Sequence, residues 1–252
     1  MKHRLFVSLV LIAAIVCAIV APNSSIRNEW WLRLALLFFF VLSAGVIFMR
    51  LNYFVKSTSR IQKPAILLTF DDGPDPETTP RIVATLKQYN IKALFFLIGE
   101  KAKQYPEIVQ QIQRDGHLIG NHTQHHSPIF AMMSRKKVKD EVQIGKETLQ
   151  QICQKEIMLF RPPIGFTNPK IAAVIQQLQL KSIGWNKRSY DTVYKTPEKL
   201  VKRLQFLAKP GSIVLMHDNL AVTANALPQF LEKSEQKNLQ FINDSNINTL
   251  FK

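Results

Sequence analysis

The stretch Leu67-Leu68-Thr69-Phe70-Asp71-Asp72-Gly73-Pro74 constrains this chain more than any other, because an apolar run stops there at two adjacent carboxylates. An apolar and aromatic run closed by Gly-Pro predicts a buried strand ending in a turn. The two acids then sit at a strand exit, where α/β enzymes keep their chemistry. Neighbouring carboxylates repel unless they hold different jobs, for example one in a metal site and the other moving protons.

From Lys63 onward, short apolar runs alternate with amphipathic stretches. The apolar runs predict strands at 65–70, 93–98, 118–119, 157–160, 181–185, 212–216 and 240–242. Between them, helices are expected from a Thr78 or Thr79 cap to Asn90, from about Tyr105 to Gly116, over 134–153, from Asn168 onward, over 197–208 and over 226–237. Repeated strand-helix units call for a parallel sheet, wound open or closed into a barrel. About 190 residues fall short of the roughly 250 typical of a full eight-fold barrel, so the expected α/β fold is a distorted or incomplete (β/α) barrel.

Two stretches ahead of this domain, 5–21 and 34–49, are apolar enough for lipid, and Trp30, Trp31, Tyr53 and Phe54 flank the second as an interfacial belt would. They predict two transmembrane helices, a membrane anchor over 1–59 and a catalytic domain over 60–252, hence an integral, multi-pass protein of the cell membrane. A signal peptide with a weak Val16-Cys17-Ala18 cleavage site is the other reading of the first stretch. Lys2 and Arg4 precede the first span and Arg50, Lys56, Arg60 and Lys63 follow the second, so the positive-inside rule favours a cytoplasmic domain.

The chain carries 33 Lys and Arg against 18 Asp and Glu, with the excess split almost evenly between the anchor and the domain. No basic cluster interleaved with aromatics stands out, so a nucleic-acid partner is not expected, and neither is an obligate protein partner. Cys17 and Cys153 lie in different regions and imply no disulfide framework.

In His122-Thr123-Gln124-His125-His126 one turn of helix or a helical loop would place His122 and His126 on one face, the spacing that zinc sites use, although spacing alone also admits a His122/His125 pair. With Asp72 they make three ligands and leave a coordination position open for water and substrate, as hydrolytic zinc requires. Arg161-Pro162-Pro163-Ile164-Gly165 follows another strand with a permanent cation, and His217 follows a fourth, where it can donate a proton to a leaving group. Singly, these are a surface histidine pair, a structural salt bridge and a core histidine. Four strand ends presenting Asp, His or Arg to one rim make the joint reading the stronger.

The segments TFDDGP (69–74), HTQHH (122–126), RPPIG (161–165) and LMHD (215–218) resemble, in order, four motifs of the NodB-type polysaccharide deacetylases, carbohydrate esterase family 4. The resemblance spans about 65–242 and implies metal-dependent removal of acetyl groups from N-acetylated amino sugars of a peptidoglycan- or chitin-like carbohydrate. It implies a divalent metal, zinc first and cobalt or nickel next, on Asp72, His122 and His126, with Asp71 as general base, Arg161 orienting it, the Ile164 backbone N–H at the oxyanion and His217 as general acid. Thr123 and Pro163 would brace the site and Leu215 line the acetyl pocket. The fourth motif departs: of its two aspartates three apart, the first is Arg188 and only Asp191 remains. Asp191 or another group would then orient His217, and a cation beside that histidine would depress its pKa. A cytoplasmic domain would favour a lipid-linked or soluble sugar intermediate, an external one a wall polysaccharide. The reading from another class is a catalytically silent, membrane-tethered carbohydrate-binding scaffold.

Overall fold

The structure is a computed structural model, which describes residues 2–20, 24–243, 247 and 250–251. Ala21, the last residue of the first expected span, and Lys252 lie outside the described residues.

Two helices come first, α1 (Lys2–Val20) and α2 (Ser24–Ile47). They run antiparallel: Lys2 Nζ donates to the Leu51 carbonyl at 2.9 Å, His3 meets Tyr53, and the Phe6 and Phe38 rings stack with centroids 6.1 Å apart. Only one of them meets the requirement for a span. The 20 residues Asn28–Ile47 are long and apolar enough to cross a membrane, whereas the apolar part of α1, Leu5–Val20, is shorter. At 1.5 Å per residue the polar start of α1 leaves it several ångströms short of a core of about 30 Å. The expectation of two spanning helices is therefore corrected to one candidate, which also starts earlier than residue 34. Arg33, inside it, reaches back to Glu29 at 3.4 Å and lies over the Trp30 ring.

The rest is a curled parallel sheet with helices packed outside it. In chain order its elements begin β1 (Ser57–Thr58), β2 (Leu67–Gly73), α3 (Thr78–Gln88), β3 (Leu94–Leu97), α4 (Gly99–Gln104), α5 (Pro106–Arg114) and β4 (Leu118–Asn121). They continue with α6 (Arg135–Cys153), β5 (Leu159–Phe160), α7 (Pro169–Gln177), β6 (Lys181–Ile183), β7 (Lys187–Arg188), α8 (Pro197–Leu207), β8 (Ile213–His217) and α9 (Ala221–Glu235). The strand order is β1-β6-β5-β4-β3-β2-β8-β7, every pairing of named strands is parallel, and among the described residues β1 and β7 do not pair. The result is an incomplete barrel whose strands all end at one rim.

Alternation along β2 sets its two faces. Leu68 and Phe70 join the outer core with Phe95, Val214 and Met216, under Ile82 and Leu86 of α3 and Phe230 of α9. Leu67 points to the concave side with Phe96 and Ile213. Thr69 and Asp71 continue that concave row toward the rim.

The short elements β1, β7 and α4 have no counterpart in the apolar pattern of the sequence. The cap of α3 is neither threonine, because Asp75 Oδ1 accepts the Glu77 and Thr78 N–H groups. Helix α9 starts at Ala221 and runs through Pro228, its buried Ala224, Leu227 and Leu231 outweighing the lost N–H. The strand expected at 240–242 reduces to one bridge between Ile66 and Phe241.

Candidate active site

In a regular strand Asp71 and Asp72 would face opposite sides of the sheet. They do not, because the β2–β3 register slips between Asp71 and Gly73: Asp72 is an extra residue with φ of 73°. Such a bulge re-aims a side chain and costs strain that the surroundings must hold. Lys101 of α4 helps, donating to the Asp72 carbonyl at 2.8 Å. Both carboxylates thereby face one imidazole, with His122 Nε2 3.8 Å from Asp71 and 3.4 Å from Asp72.

The two histidines follow β4, but in a loop rather than a helical turn. Thr123 at φ 73° and His126 at φ 51° fold that loop back, bringing the two rings to 4.7 Å between centroids. Thr123 Oγ1 accepts the His126 N–H at 3.0 Å. His125 points elsewhere, its Nδ1 2.6 Å from Glu141 of α6. His122 Nδ1 lies 2.7 Å from the Arg161 carbonyl, which requires the proton on Nδ1 and points Nε2 at the acids.

One ligand atom from each of Asp72, His122 and His126 lies within 4.8 Å of the others, and Asp72 Oδ1 is buried with no hydrogen bond among the described residues. A carboxylate with two neutral imidazoles is a donor set that suits zinc, so these residues fit a divalent metal. Burial would raise the metal-free Asp72 pKa, but the facing histidines, in their protonated form, outweigh it and hold the carboxyl well below its usual range.

Arg161, just past β5, is fully buried, and each of its nitrogens is used. Nη1 donates to Asp71 at 2.7 Å and to Thr69 Oγ1 at 2.9 Å, Nε to the Ile183 carbonyl and Nη2 to the Gly184 carbonyl. The guanidinium also lies 4.2 Å from the Phe96 ring centroid. A buried cation needs this degree of satisfaction, and Asp71 supplies the charge that balances it. Pro163 begins a turn in which Ile164 adopts φ of 62°, and the bonds of that turn come from the N–H groups of Gly165 and Phe166, not Ile164.

His217 stands beside Asp71 in register, with Leu215 two residues earlier on the same face. Asp191 orients it: Asp191 Oδ1 lies 2.8 Å from His217 Nδ1, while Oδ2 accepts the His217 backbone N–H at 2.7 Å and Thr223 Oγ1 at 2.9 Å. Burial would lower the His217 pKa, but Asp191, with Asp71 and Asp72 behind it, raises it to about 9. The depression expected from Arg188 does not occur. That guanidinium turns outward over the Tyr190 ring, 5.3 Å from its centroid.

Asn121, Glu141, Thr223 and Trp185 support this site without a motif to announce them. Asn121 Oδ1 accepts the Thr123 N–H at 2.9 Å while its Nδ2 donates to the Val142 carbonyl, tying the histidine loop to α6. The one local signal was a polar residue at the end of an apolar run, directly before His122.

A family profile described as "Polysaccharide deacetylase" matches residues 58–183, half of the chain. The chain is 33% identical over 188 residues to a peptidoglycan-N-acetylglucosamine deacetylase of Bacillus cereus, covering 72% of this chain and 87% of the relative. It is 36% identical over 155 residues to a chitooligosaccharide deacetylase of Azorhizobium caulinodans, covering 61% and 73%. Among solved structures, the peptidoglycan deacetylase PdaC of Bacillus subtilis superposes with a TM-score of 0.69 at 28% identity, over 75% of this chain and 92% of that one.

Proposed function

The chain belongs to the polysaccharide deacetylases, carbohydrate esterase family 4, and from that premise we propose that it hydrolyses the N-acetyl groups of amino sugars in a peptidoglycan- or chitin-like glycan, using a divalent metal. The observation that carries the reading is the meeting of Asp71, Asp72, His122, His126, Arg161 and His217 at one rim.

Asp72, His122 and His126 would hold a divalent metal, with zinc the first choice and cobalt or nickel next. A metal there supplies a Lewis acid that polarises the acetamide carbonyl and acidifies water. Asp71 takes the proton of the attacking water, and its bond to Arg161 keeps it aimed. The Ile164 N–H donates to the carbonyl oxygen as it gains charge. His217, its Nδ1 proton held by Asp191, presents Nε2 to the substrate and protonates the departing amine. Leu215 lines the acetyl side, Thr123 and Pro163 hold the loops, and the products are acetate and a free amino sugar.

Residues 1–59 form the anchor and 60–252 the catalytic domain, with β1 the part of the first segment woven into the sheet beside β6. The anchor holds the enzyme at the cell membrane through α2, and the short apolar α1 lies against it as a second, partial insertion. The test is acetate release by the full chain in neutral detergent, loaded with zinc or cobalt, from chito-oligosaccharides and peptidoglycan fragments. Release that stops on chelation and returns with metal is expected. No release from any N-acetylated sugar by a protein holding one metal per chain would overturn the reading in favour of a silent scaffold.

A further inference from the structure

Beside the catalytic rim lies a second cavity of about 530 Å³ that the deacetylation reading does not use. Its wall carries Arg50, Lys187, Arg188 and Arg203 and no acidic residue. Among the described residues none of these four cations has a carboxylate within 4.0 Å. Four unneutralised cations around one cavity raise its potential and favour an anion there. Two are pre-positioned: Arg188 and Arg203 both lie against Tyr190, each 5.3 Å from its ring centroid, and Tyr190 is held at φ of 59°. The Arg203 Nε is buried with no hydrogen-bond partner among the described residues, a donor left without an acceptor. Planar guanidinium forks suit phosphate oxygens.

The position of the cavity narrows the ligand. On one side it shares Ile164 and Trp185 with the rim: Ile164 presents the oxyanion N–H and Trp185 lies over Arg161. On the other side it is bounded by Ile47 and Phe48, where the apolar helix α2 ends. This junction is fixed, because the Thr167 N–H donates to the Val46 carbonyl at 3.0 Å and Thr167 Oγ1 to that of Gly45 at 3.1 Å. A ligand filling the cavity from the rim outward therefore passes from an amino sugar, through an anion, to a hydrocarbon surface.

Resting on the deacetylase reading, we propose that this cavity is the phosphate subsite for a lipid-linked substrate: an N-acetylated sugar joined through a phosphate to a hydrocarbon chain. The sugar reaches the rim, Arg188 and Arg203 grip the phosphate with Lys187 and Arg50 at its flanks, and the hydrocarbon follows α2. The same arginine that departs from the fourth motif thus reads the substrate.

Calorimetric binding to the full chain in neutral detergent tests this with three probes: N-acetylglucosaminyl farnesyl phosphate, octyl N-acetylglucosaminide and N-acetylglucosamine 1-phosphate. The farnesyl phosphate sugar should bind at least about tenfold tighter than the neutral octyl glycoside, the scale of one charge-assisted contact. That preference should fall about tenfold between low and high salt, and in the double variant Arg188→Gln/Arg203→Gln, whose folding is checked by its melting temperature. Equal binding of the charged and neutral glycolipids in the parent chain overturns the proposal whatever the variant does. Equal binding of the soluble sugar phosphate makes the source a soluble intermediate and overturns the lipid-linked assignment. Equal competition by phosphatidylglycerol makes the cavity a membrane headgroup site and overturns that assignment too. Acetate release from the same probes separates the two readings. The phosphate preference without release sinks the deacetylase and keeps the anion site, while release without preference sinks only the subsite.

Discussion

Arg161 is fully buried and commits all of its nitrogens to Asp71, Thr69 and two carbonyls, whereas His217 keeps part of its ring exposed and leans on one carboxylate, Asp191. The base side of the site is part of the core of the barrel, and the acid side is one ion pair at the end of β8. A base that must stay ionised is served by a permanent cation that cannot leave. An acid that must give up and regain a proton is served by a partner that only raises its affinity for one. The base side should therefore fail as structure when cut, and the acid side as chemistry.

The largest effect is expected at Arg161. Arg161→Ala removes the cation that balances the buried Asp71, a loss of about 3–5 kcal/mol. Its melting temperature should fall well below that of the parent and acetate release should vanish; a stable, active variant would break the contrast. His126→Ala comes next, with metal content by mass spectrometry falling below one per chain and activity dropping with it, while the fold persists.

Asp191→Asn should lower the melting temperature less than Arg161→Ala does but cut the rate by about 10²-fold or more. Its sign with pH follows from the raised His217 pKa. Without metal the acid is protonated below about 9 and is lost above it, so the alkaline limb of the loaded parent lies below that value and moves further down in the variant. The same pair contributes stability that is fully present below the ordinary histidine pKa near 6.5 and lost as pH rises through about 9. Asp191, held below its ordinary value, contributes above that value and loses its share as pH falls. Binding of a divalent cation at Asp72 counters one of the charges that raise His217, so the His217 ring signal in NMR should titrate lower with metal than without it.

Gly145→Ala is milder and sharpens the part played by the histidine loop. A Cβ there would sit 2.7 Å from Asn121 Oδ1 and 2.8 Å from the Thr123 backbone, forcing the loop off α6. Metal affinity should weaken about 10–100-fold, the scale of damage to groups that orient ligands. Thr223→Val removes one bond to Asp191 and should cost the least, a small fall in the alkaline limb with nearly normal turnover.

Much of this was legible because the residues sit next to one another along the chain. The Asp71-Asp72 pair, the His122 to His126 spacing and the Arg161 loop each belong to a strand exit, and parallel strands must end on one side, so the apolar pattern alone gathered them at one rim. The loops resisted because their shape depends on backbone angles that non-glycine residues adopt only when surroundings insist. Thr123, His126 and Ile164 all lie at positive φ, and the expected helical turn at the histidines is instead a folded-back loop tied to Asn121 and α6.

The sequence by itself determined the family, the alternation that builds the sheet and the identity of the acids, histidines and arginine offered to the site, since these follow from residue type and local period. Tertiary structure alone decided how they are aimed. The bulge at Asp72 turns two neighbouring carboxylates toward one imidazole, against the two-residue period of a strand. Register places Asp191, not Arg188, on His217, and sends Arg188 to the outer cavity. Those outcomes depend on contacts between segments far apart in the chain, which no local pattern of residues encodes.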